Sequence, residues 1–236
     1  MPDRPLVLQD ALLSSPDGLV QQQNRLWFHF QKYPWSLDSP DTNPSSGDHQ
    51  RLLQQRLVKG LPNPKLTQHL SGAFHLGLSP HIHSYYHLLT DLLPHLLPPP
   101  RYPVLVPEGW PQTFADFLCD AGFELKPLSP GVFRVDKLWI PAMGPPDWTS
   151  EKRQALLAFF AKAVPKTENH SPRKLYLSRS NAKRRHLVNE IELLPLLQQH
   201  GYELVTAETL TIPEQVQLFR EATHLVAPHG AGLVNG

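Results

Sequence analysis

The sequence predicts an α/β protein, and two alternating patterns support that fold class. Between residues 174 and 227, three short apolar segments alternate with two segments of helical periodicity, and the connections between them are short. Units of strand, helix and strand with short connections form parallel, doubly wound sheets. A similar alternation occupies residues 103–141, so a related half is expected closer to the N-terminus.

The composition limits the classes of protein that fit. Of the 236 residues, 40% are apolar, which supports a packed core and excludes a wholly disordered chain. The 26 prolines are about twice the usual share and predict many loops. The 22 basic and 21 acidic residues leave a net charge of +1. A protein built to neutralise a nucleic-acid backbone is more basic, so we expect no nucleic-acid partner.

The cysteine count and the apolar segments bear on the compartment. Cys119 is the single cysteine, which excludes an internal disulfide framework and any cysteine-based zinc site. The N-terminus lacks the pattern of a signal peptide, and no stretch approaches about 18 uninterrupted apolar residues. We therefore expect a cytoplasmic protein without a transmembrane segment. A peripheral association with a membrane stays open.

The first 80 residues are difficult to assign, and a clear signal begins after them. Residues 25–30 fit a strand, residues 38–48 have a loop composition and residues 49–59 fit a short helix. Leucines between residues 88 and 97 then recur at helical spacing and form one apolar face. Pro94 lies inside this pattern and is expected to kink or shorten the helix.

The middle of the chain predicts a strand, a helix and a second strand. The strands are residues 103–107 and 132–141, and the helix is residues 112–121 with Gly122 placed to cap it. Residues 142–150 predict a linker into a helix that stops before Pro165. We place a domain boundary here, between an N-terminal α/β domain at residues 1–148 and a C-terminal Rossmann-like domain at residues 149–236.

The C-terminal segment carries the clearest pattern. Strands are predicted at residues 174–178, 203–206 and 223–227, and helices at residues 189–200 and 213–222. Gly201 follows the first helix, and Pro213 occupies the first position of the second. The chain stops where the next helix is expected to begin, and three strands are few for this architecture. We therefore expect the sequence to be a fragment.

A turn with two glycines follows the last predicted strand. Gly230 and Gly232 allow a ligand to approach the backbone closely, and a helix N-terminus after them would offer N–H groups to a phosphate. The sequence contains neither a GxGxxG nor a Walker A pattern. A plain strand-to-helix turn explains the spacing equally well, and His229 alone is more often a turn residue than a catalyst.

A basic segment follows the strand at residues 174–178. Arg179 comes directly after that strand, and residues 183–185 are all basic. Ligands of doubly wound sheets bind at this edge, where an arginine can hold a pyrophosphate with bidentate contacts. The alternative is a solvated basic loop. The combination of an arginine at one strand end with the glycine turn at another favours a phosphate site.

Titratable side chains step by four along the leucine-rich segment. His83, His87 and Asp91 are the first three of them. Along a helix Asp91 lies about 12 Å from His83, so the three do not chelate one ion. His87 or Asp91 is a candidate general base facing a cleft. The alternative is that these side chains cap or pair with neighbouring elements.

Together these pieces resemble glycosyltransferase family 61, the capsular-polysaccharide-type group related to eukaryotic xylosyl- and N-acetylglucosaminyltransferases. The resemblance rests on a Tyr-Tyr-His-x3-Asp-x2-Pro stretch at residues 85–94 and on an ordered series between residues 176 and 235. The chain departs from the family pattern at Ser84, where asparagine is common, and at His95, where arginine is frequent. Family members also continue beyond the glycine turn.

The resemblance implies an inverting enzyme of the GT-B type, with two Rossmann-like halves of which the C-terminal one is incomplete here. The N-terminal half would face a glycan or polysaccharide acceptor, with Asp91 and His87 as catalytic candidates. The C-terminal half would bind a nucleotide-sugar co-substrate, expected to be UDP-linked. The donor-binding residues that the resemblance implies are Arg179, Arg185, Asn189, Glu190, Glu214, Gln215, His229, Gly230, Ala231, Gly232 and Asn235.

The sequence contains no Asp-x-Asp motif, the pair with which GT-A transferases hold a divalent metal on the diphosphate. The charge of the leaving group must then be met by arginines and a helix N-terminus, so we expect no metal site and no cofactor. Two alternatives stay open: a non-catalytic nucleotide- or phosphate-binding module, and an inactive fragment of such an enzyme. Because the helix after the glycine turn is missing beyond Gly236, we expect this chain itself not to transfer sugar.

Overall fold

The computed structural model describes residues 5–15, 17–23, 25–27, 35–36, 67–79, 84–141, 150–166, 171–182 and 186–235. The predicted loop at residues 38–48, the predicted helix at residues 49–59 and most of the predicted linker at residues 142–150 lie outside these ranges. Arg185 of the predicted donor site lies outside them as well.

The N-terminal elements are mostly strands. The first five are β1 (Leu6–Ser15), β2 (Val20–Gln22), β3 (Arg25–Trp27), β4 (Trp35–Ser36) and β5 (Gln68–Leu76). A short helix, α1 (Tyr85–His87), continues into a π-helical turn (Leu88–Leu92) and a 3₁₀ turn (Leu93–His95). The remaining elements are β6 (Val104–Pro107), α2 (Gln112–Asp120), β7 (Leu125–Leu128) and β8 (Gly131–Ile140).

The C-terminal elements alternate between helix and strand. They are α3 (Ser150–Ala163), β9 (Arg173–Leu177), α4 (Glu190–Gln199), β10 (Tyr202–Val205), α5 (Ile212–Glu221) and β11 (Ala222–Val226). Two 3₁₀ turns, Ala207–Thr209 and Ala231–Asn235, follow β10 and β11. The helices and strands predicted from residue 103 onward are confirmed to within one residue at each described end, and β7 is an additional strand.

The N-terminal strands form a mixed sheet, in the order β4-β3-β2-β1-β8-β5-β6-β7. Strands β8, β5, β6 and β7 run parallel to one another. The pairs β8–β1, β1–β2, β2–β3 and β3–β4 are antiparallel. The α/β class is confirmed, but this half is not the parallel Rossmann-like sheet that was expected. The connections between β1, β2 and β3 are too short for the crossover that a parallel pair requires.

The sequence pattern does not reveal β1 and β5, and both strands contain an irregularity. Asp10 in β1 has a positive φ of 52°, and Gly72 in β5 has a φ of 113°. The pairing of β5 with β8 also shifts register between Leu70 and Ala73. A bulge changes which face the following side chains occupy, so the regular alternation that marks a strand is lost.

The C-terminal strands form a parallel sheet in the order β10-β9-β11. The central strand β9 is apolar, and Leu175 and Leu177 pack with Leu218 of α5 in a small core. Tyr176 points to the other face, where α4 begins at Glu190. The predicted parallel arrangement, with a helix on each face, is therefore confirmed for the described strands.

A larger core joins the two sheets. The leucine face predicted between residues 88 and 97 is confirmed, because Leu88, Leu92 and Leu93 are each 1% exposed. Leu156 of α3 and Ile212 of α5 belong to the same cluster. Helices from the C-terminal segment thus pack into the N-terminal core and hold the two sheets against each other.

The segment between Tyr85 and His95 changes its helical geometry twice. The α-helical turn ends at His87, the next residues form a π-helical turn, and Pro94 lies in the final 3₁₀ turn. Proline lacks the N–H that an α-helix interior needs, so the predicted shortening of the helix at Pro94 is confirmed.

Candidate active site

Arg179 and Gly230 lie in direct contact at the carboxyl edge of the C-terminal sheet. Arg179 follows β9 and Gly230 follows the neighbouring strand β11. A Cβ atom placed on Gly230 would lie 2.6 Å from the guanidinium carbon Cζ of Arg179, closer than real Cβ contacts allow. Glycine is thus the residue that lets the guanidinium pack on this turn. The expected adjacency of the arginine and the glycine turn is confirmed.

A cavity of about 370 Å³ opens at this strand edge. One wall consists of Ser178 and Arg179, which follow β9, together with Gly230, Ala231 and Gly232, which follow β11. The volume is within the range of roughly 300–1,000 Å³ that is typical of small-molecule sites. The wall offers a guanidinium group and backbone N–H groups, which are the groups that bind anions.

Two other walls complete the cavity. Ala207 and Glu208, on the 3₁₀ turn after β10, form one of them. The N-terminal part of the chain provides the other through Tyr85 of α1 and through Thr113 and Phe114 of α2. The rings of Tyr85 and Phe114 are 5.4 Å apart. The cavity therefore lies between two helices of the N-terminal part of the chain and the strand ends of the C-terminal sheet.

Glu190 lies behind the arginine and is buried, with 9% of its surface exposed. Its Oε1 accepts hydrogen bonds from the Tyr176 hydroxyl at 2.7 Å and from the Arg179 backbone N–H at 3.3 Å. Its Oε2 accepts a hydrogen bond from the Ser178 hydroxyl at 2.7 Å. The carboxylate thereby ties the first residue of α4 to the end of β9 and fixes the backbone that carries Arg179.

The pKa values in this network follow from burial and hydrogen bonding. Burial alone would raise the pKa of Glu190, but the hydrogen bonds from Ser178, Tyr176 and Arg179 outweigh it and leave that pKa lowered. Burial, and then the hydrogen bond to Glu190, raises the pKa of Tyr176 to about 12. Glu190 is therefore a stable carboxylate at neutral pH, and Tyr176 is its hydrogen-bond donor.

Glu214 and Gln215 stabilise the start of α5. The Glu214 carboxylate accepts a hydrogen bond from the Thr211 backbone N–H at 2.7 Å, and the Thr211 hydroxyl accepts one from the Glu214 N–H, which completes a capping box. Gln215 is buried, and its Nε2 donates to the carbonyl oxygens of Ala207 at 3.0 Å and Leu210 at 3.2 Å. Gln215 thus fixes the turn that lines the cavity.

His87 and Asp91 form a close pair on the N-terminal side. The His87 Nδ1 lies 2.6 Å from Asp91 Oδ2, and the Thr90 hydroxyl donates to Asp91 Oδ1 at 2.6 Å. The Asp91 side chain is 13% exposed and the His87 side chain 37%. Because a carboxylate only accepts, the His87 Nδ1 carries the proton of this contact, and Nε2 is the ring nitrogen that does not face Asp91.

The histidine–aspartate pair is close to the glycine turn. Helix α1 lies next to the 3₁₀ turn Ala231–Asn235 that follows the glycines. Tyr85 lines the cavity, and His87 lies two residues further along the same helix without lining it. Neither His87 nor Asp91 lines the cavity, and the pair lies on the helical segment next to the turn that follows the glycines.

The structure brings some of the predicted donor residues to the cavity and leaves others outside it. The residues that line it are Arg179, Gln215, Gly230, Ala231 and Gly232. Glu190 contacts Arg179 from behind, and Glu214 belongs to the helix cap. Asn189 precedes α4 and is exposed, with its amide donating to Glu192 at 3.3 Å. His229 is exposed beside the turn, and Asn235 ends the last 3₁₀ turn.

Sequence reasoning missed Thr113, Phe114 and Glu208 as cavity residues. The first two lie in α2, whose sequence carries no signal that it faces the C-terminal sheet. Glu208 follows β10, so the rule that ligands bind at the carboxyl ends of parallel strands would have pointed to it.

Two further findings concern ions and membranes. Within the described ranges, no three histidine, cysteine, aspartate or glutamate side chains are grouped so as to hold a metal ion. None of the helices that the structure describes has the length and apolar character needed to span a bilayer.

Comparison with known proteins assigns the family. The sequence profile of the family described as glycosyltransferase 61 matches residues 85–236, which contain α1 and the whole C-terminal sheet. No curated protein matches the chain. The matched segment carries the histidine–aspartate pair, the strand-end arginine and the glycine turn, and family membership implies glycosyltransferase activity on sugar donors and acceptors. On the strength of this match over most of its length, the chain belongs to glycosyltransferase family 61.

Proposed function

We propose that this chain is an inverting glycosyltransferase of the GT-B type. It uses a nucleotide-sugar donor, expected to be UDP-linked, and transfers the sugar to a hydroxyl of a glycan or polysaccharide. The observation that carries the proposal is the packing of the Arg179 guanidinium on Gly230 at the rim of the cavity. Family membership supports the reaction class, and the position of the cavity between two α/β sheets supports a GT-B arrangement.

The donor diphosphate binds at the strand-end wall in this proposal. Arg179 offers a permanently charged, planar fork that matches phosphate oxygens. The Gly230–Gly232 turn has no bulky side chains, so phosphate oxygens can approach its backbone N–H groups. Glu190 acts on this wall indirectly, because its hydrogen bonds to Ser178 and to the Arg179 N–H set the direction in which Arg179 leaves the sheet.

The acceptor is activated by His87 in this proposal, and Asp91 orients it. The acceptor O–H gives its proton to His87 Nε2 while its oxygen bonds to the anomeric carbon from the face opposite the diphosphate. The bond between that carbon and the phosphate oxygen breaks, and its electron pair leaves with the nucleoside diphosphate. Asp91 stabilises the imidazolium through Nδ1, as the 2.6 Å contact allows.

A donor screen followed by turnover measurement, both on the full-length enzyme, tests the proposal. Thermal shift with UDP-, GDP- and CMP-sugars identifies the nucleotide, and NMR of the product reports the anomeric configuration. Stabilisation by one nucleotide class together with an inverted product supports the proposal. Binding without turnover on any glycan acceptor would favour a nucleotide-binding module instead, and the absence of binding to all three classes would overturn the proposal.

A further inference from the structure

Thr90 is a polar residue on the buried side of the π-helical turn. The other buried residues of this turn are Leu88, Leu89 and Leu92, and Thr90 itself is 5% exposed. A buried hydroxyl costs free energy unless it is hydrogen-bonded, and valine has nearly the same branched shape without the hydroxyl. Packing against the leucines therefore does not explain why a hydroxyl stands at this position.

The Thr90 hydroxyl contacts two acceptors. Its Oγ1 lies 2.9 Å from the Tyr86 carbonyl oxygen, four residues earlier in the helical segment, and 2.6 Å from Asp91 Oδ1. The hydroxyl has one proton for both contacts, and 2.6 Å is typical of an O–H group that donates to a carboxylate. Asp91 is thus the stronger of the two acceptors. Thr90 links the backbone of the helical segment to the Asp91 carboxylate.

Asp91 is held through both of its carboxylate oxygens. Thr90 donates to Oδ1, and His87 Nδ1 lies 2.6 Å from Oδ2. Consecutive side chains on a regular α-helix do not face each other, but a π-turn contains more residues per turn and brings neighbours closer in direction. Because the two oxygens belong to one planar group, a hydrogen bond to Oδ1 also restricts where Oδ2 points. The contact between Asp91 and His87 therefore depends on the Thr90 hydroxyl.

We propose that Thr90 is a positioning residue, whose hydroxyl holds Asp91 in the orientation that keeps the ring proton of His87 on Nδ1. The hydrogen bond at one ring nitrogen of a histidine sets which nitrogen carries the proton. The inference rests on the proposed function, in which His87 Nε2 takes the proton of the acceptor hydroxyl and must be unprotonated beforehand. Thr90 is not among the residues that line the cavity, so it acts through Asp91.

NMR of the histidine ring nitrogens tests the inference on the whole chain without any ligand. The ¹⁵N shifts, recorded in mildly alkaline buffer where a histidine ring is neutral, report which nitrogen carries the proton. The chain has 13 histidines, so the signal that is missing in His87→Gln identifies His87. We expect an Nδ1 proton in the native protein and in Thr90→Ser, and a mixture of both forms in Thr90→Val. Thr223→Val is the matched control, because it removes a hydroxyl that donates to the Arg173 carbonyl at 3.0 Å.

Kinetics of the full-length enzyme supply the second measurement. Thr90→Val should lower kcat by about tenfold, the effect of losing a hydrogen bond to a charged group, with the donor KM unchanged, and Thr90→Ser should restore most of the rate. An unchanged His87 signal in Thr90→Val, or equal loss of kcat in Thr90→Val and Thr90→Ser, would overturn the inference while the proposed base stands. Full kcat in His87→Gln would instead overturn the proposed base and, with it, the catalytic role of Thr90.

Discussion

The guanidinium of Arg179 packs directly on the α-carbon side of Gly230, although the two residues follow different strands. A Cβ atom at residue 230 would lie 2.6 Å from Arg179 Cζ. At Gly232 the nearest atom to such a Cβ is the Leu177 Cδ1 at 3.4 Å, a distance that a small shift of the leucine accommodates. The structure therefore has room for a Cβ atom at residue 232 but not at residue 230, although both positions are glycine.

We expect Gly230→Ala to displace Arg179 and to weaken nucleotide binding by roughly ten- to a hundredfold, the range for losing a hydrogen bond to a charged group. Gly232→Ala is the matched control and should retain affinity within a few-fold. Calorimetry with the nucleotide that the donor screen identifies measures both variants. Equal affinities for the two variants would show that the contact between Arg179 and residue 230 has no part in binding.

Arg179→Lys keeps the positive charge but removes the planar fork, so donor affinity should fall by about ten- to a hundredfold. The native fold should persist, because Arg179 is half-buried at the rim of the cavity. Arg153→Lys, an exposed arginine on α3, serves as the control and should bind as the native protein does. Nucleotide binding that is unchanged in Arg179→Lys would assign this basic segment to a solvated loop.

Loss of the proposed base should reduce kcat and leave donor binding intact. General-base catalysis contributes typically 10²- to 10⁴-fold, so His87→Gln should lower kcat by about that factor with little change in KM for the donor. Asp91→Asn should lower kcat less, because the imidazole stays in place. His224→Gln, an exposed histidine in the middle of β11, is the control. A higher KM for the donor at unchanged kcat would contradict the assignment.

Protonation of Glu190 should lower the free energy of unfolding at acid pH. Its native pKa lies below the ordinary 4.5, so the carboxylate stabilises the fold above that pH and loses this contribution as the pH falls through its native pKa. Glu190→Gln should cost about 1–3 kcal/mol at neutral pH and should flatten the loss of stability below pH 4.5. Urea unfolding between neutral and acidic pH measures this, with exposed Glu192→Gln as the control. Parallel curves for the native protein and Glu190→Gln would refute it.

Sugar transfer by the full-length enzyme should persist in EDTA. The sequence lacks an Asp-x-Asp pair, and the proposed countercharge for the leaving diphosphate is Arg179 together with the backbone of the glycine turn. A radiolabelled transfer assay with and without EDTA, followed by added Mn²⁺ or Mg²⁺, measures the dependence. Complete loss of turnover that manganese restores would mean that a metal neutralises the diphosphate and that Arg179 does not suffice.

The structure distinguishes the roles of two glutamates that the sequence motif does not distinguish. Glu190 and Glu214 belong to the same ordered series, and each opens a helix. Glu214 closes a capping box at the surface, whereas Glu190 turns inward and holds the end of β9. A sequence pattern does not distinguish these roles, because both positions favour a carboxylate near a helix N-terminus.

The sequence by itself was enough to predict the helices and strands from residue 103 onward. It also placed Arg179 and Gly230 at the ends of strands. Those features depend on short-range causes: apolar periodicity marks the helices and strands, and glycine and proline mark where they end. The parallel C-terminal sheet follows from the same local alternation, since each crossover must return the chain to the same edge.

Only the tertiary structure decided which side chains meet. The antiparallel pairing of β1 with β8 joins opposite ends of the N-terminal half, and the irregularities at Asp10 and Gly72 conceal the strands that take part. Glu208 reaches the cavity because β10 lies beside β9, and Tyr85 reaches it because α1 packs near the glycine turn. Such contacts depend on how residues far apart in the chain pack in the core. Local sequence patterns do not contain this information.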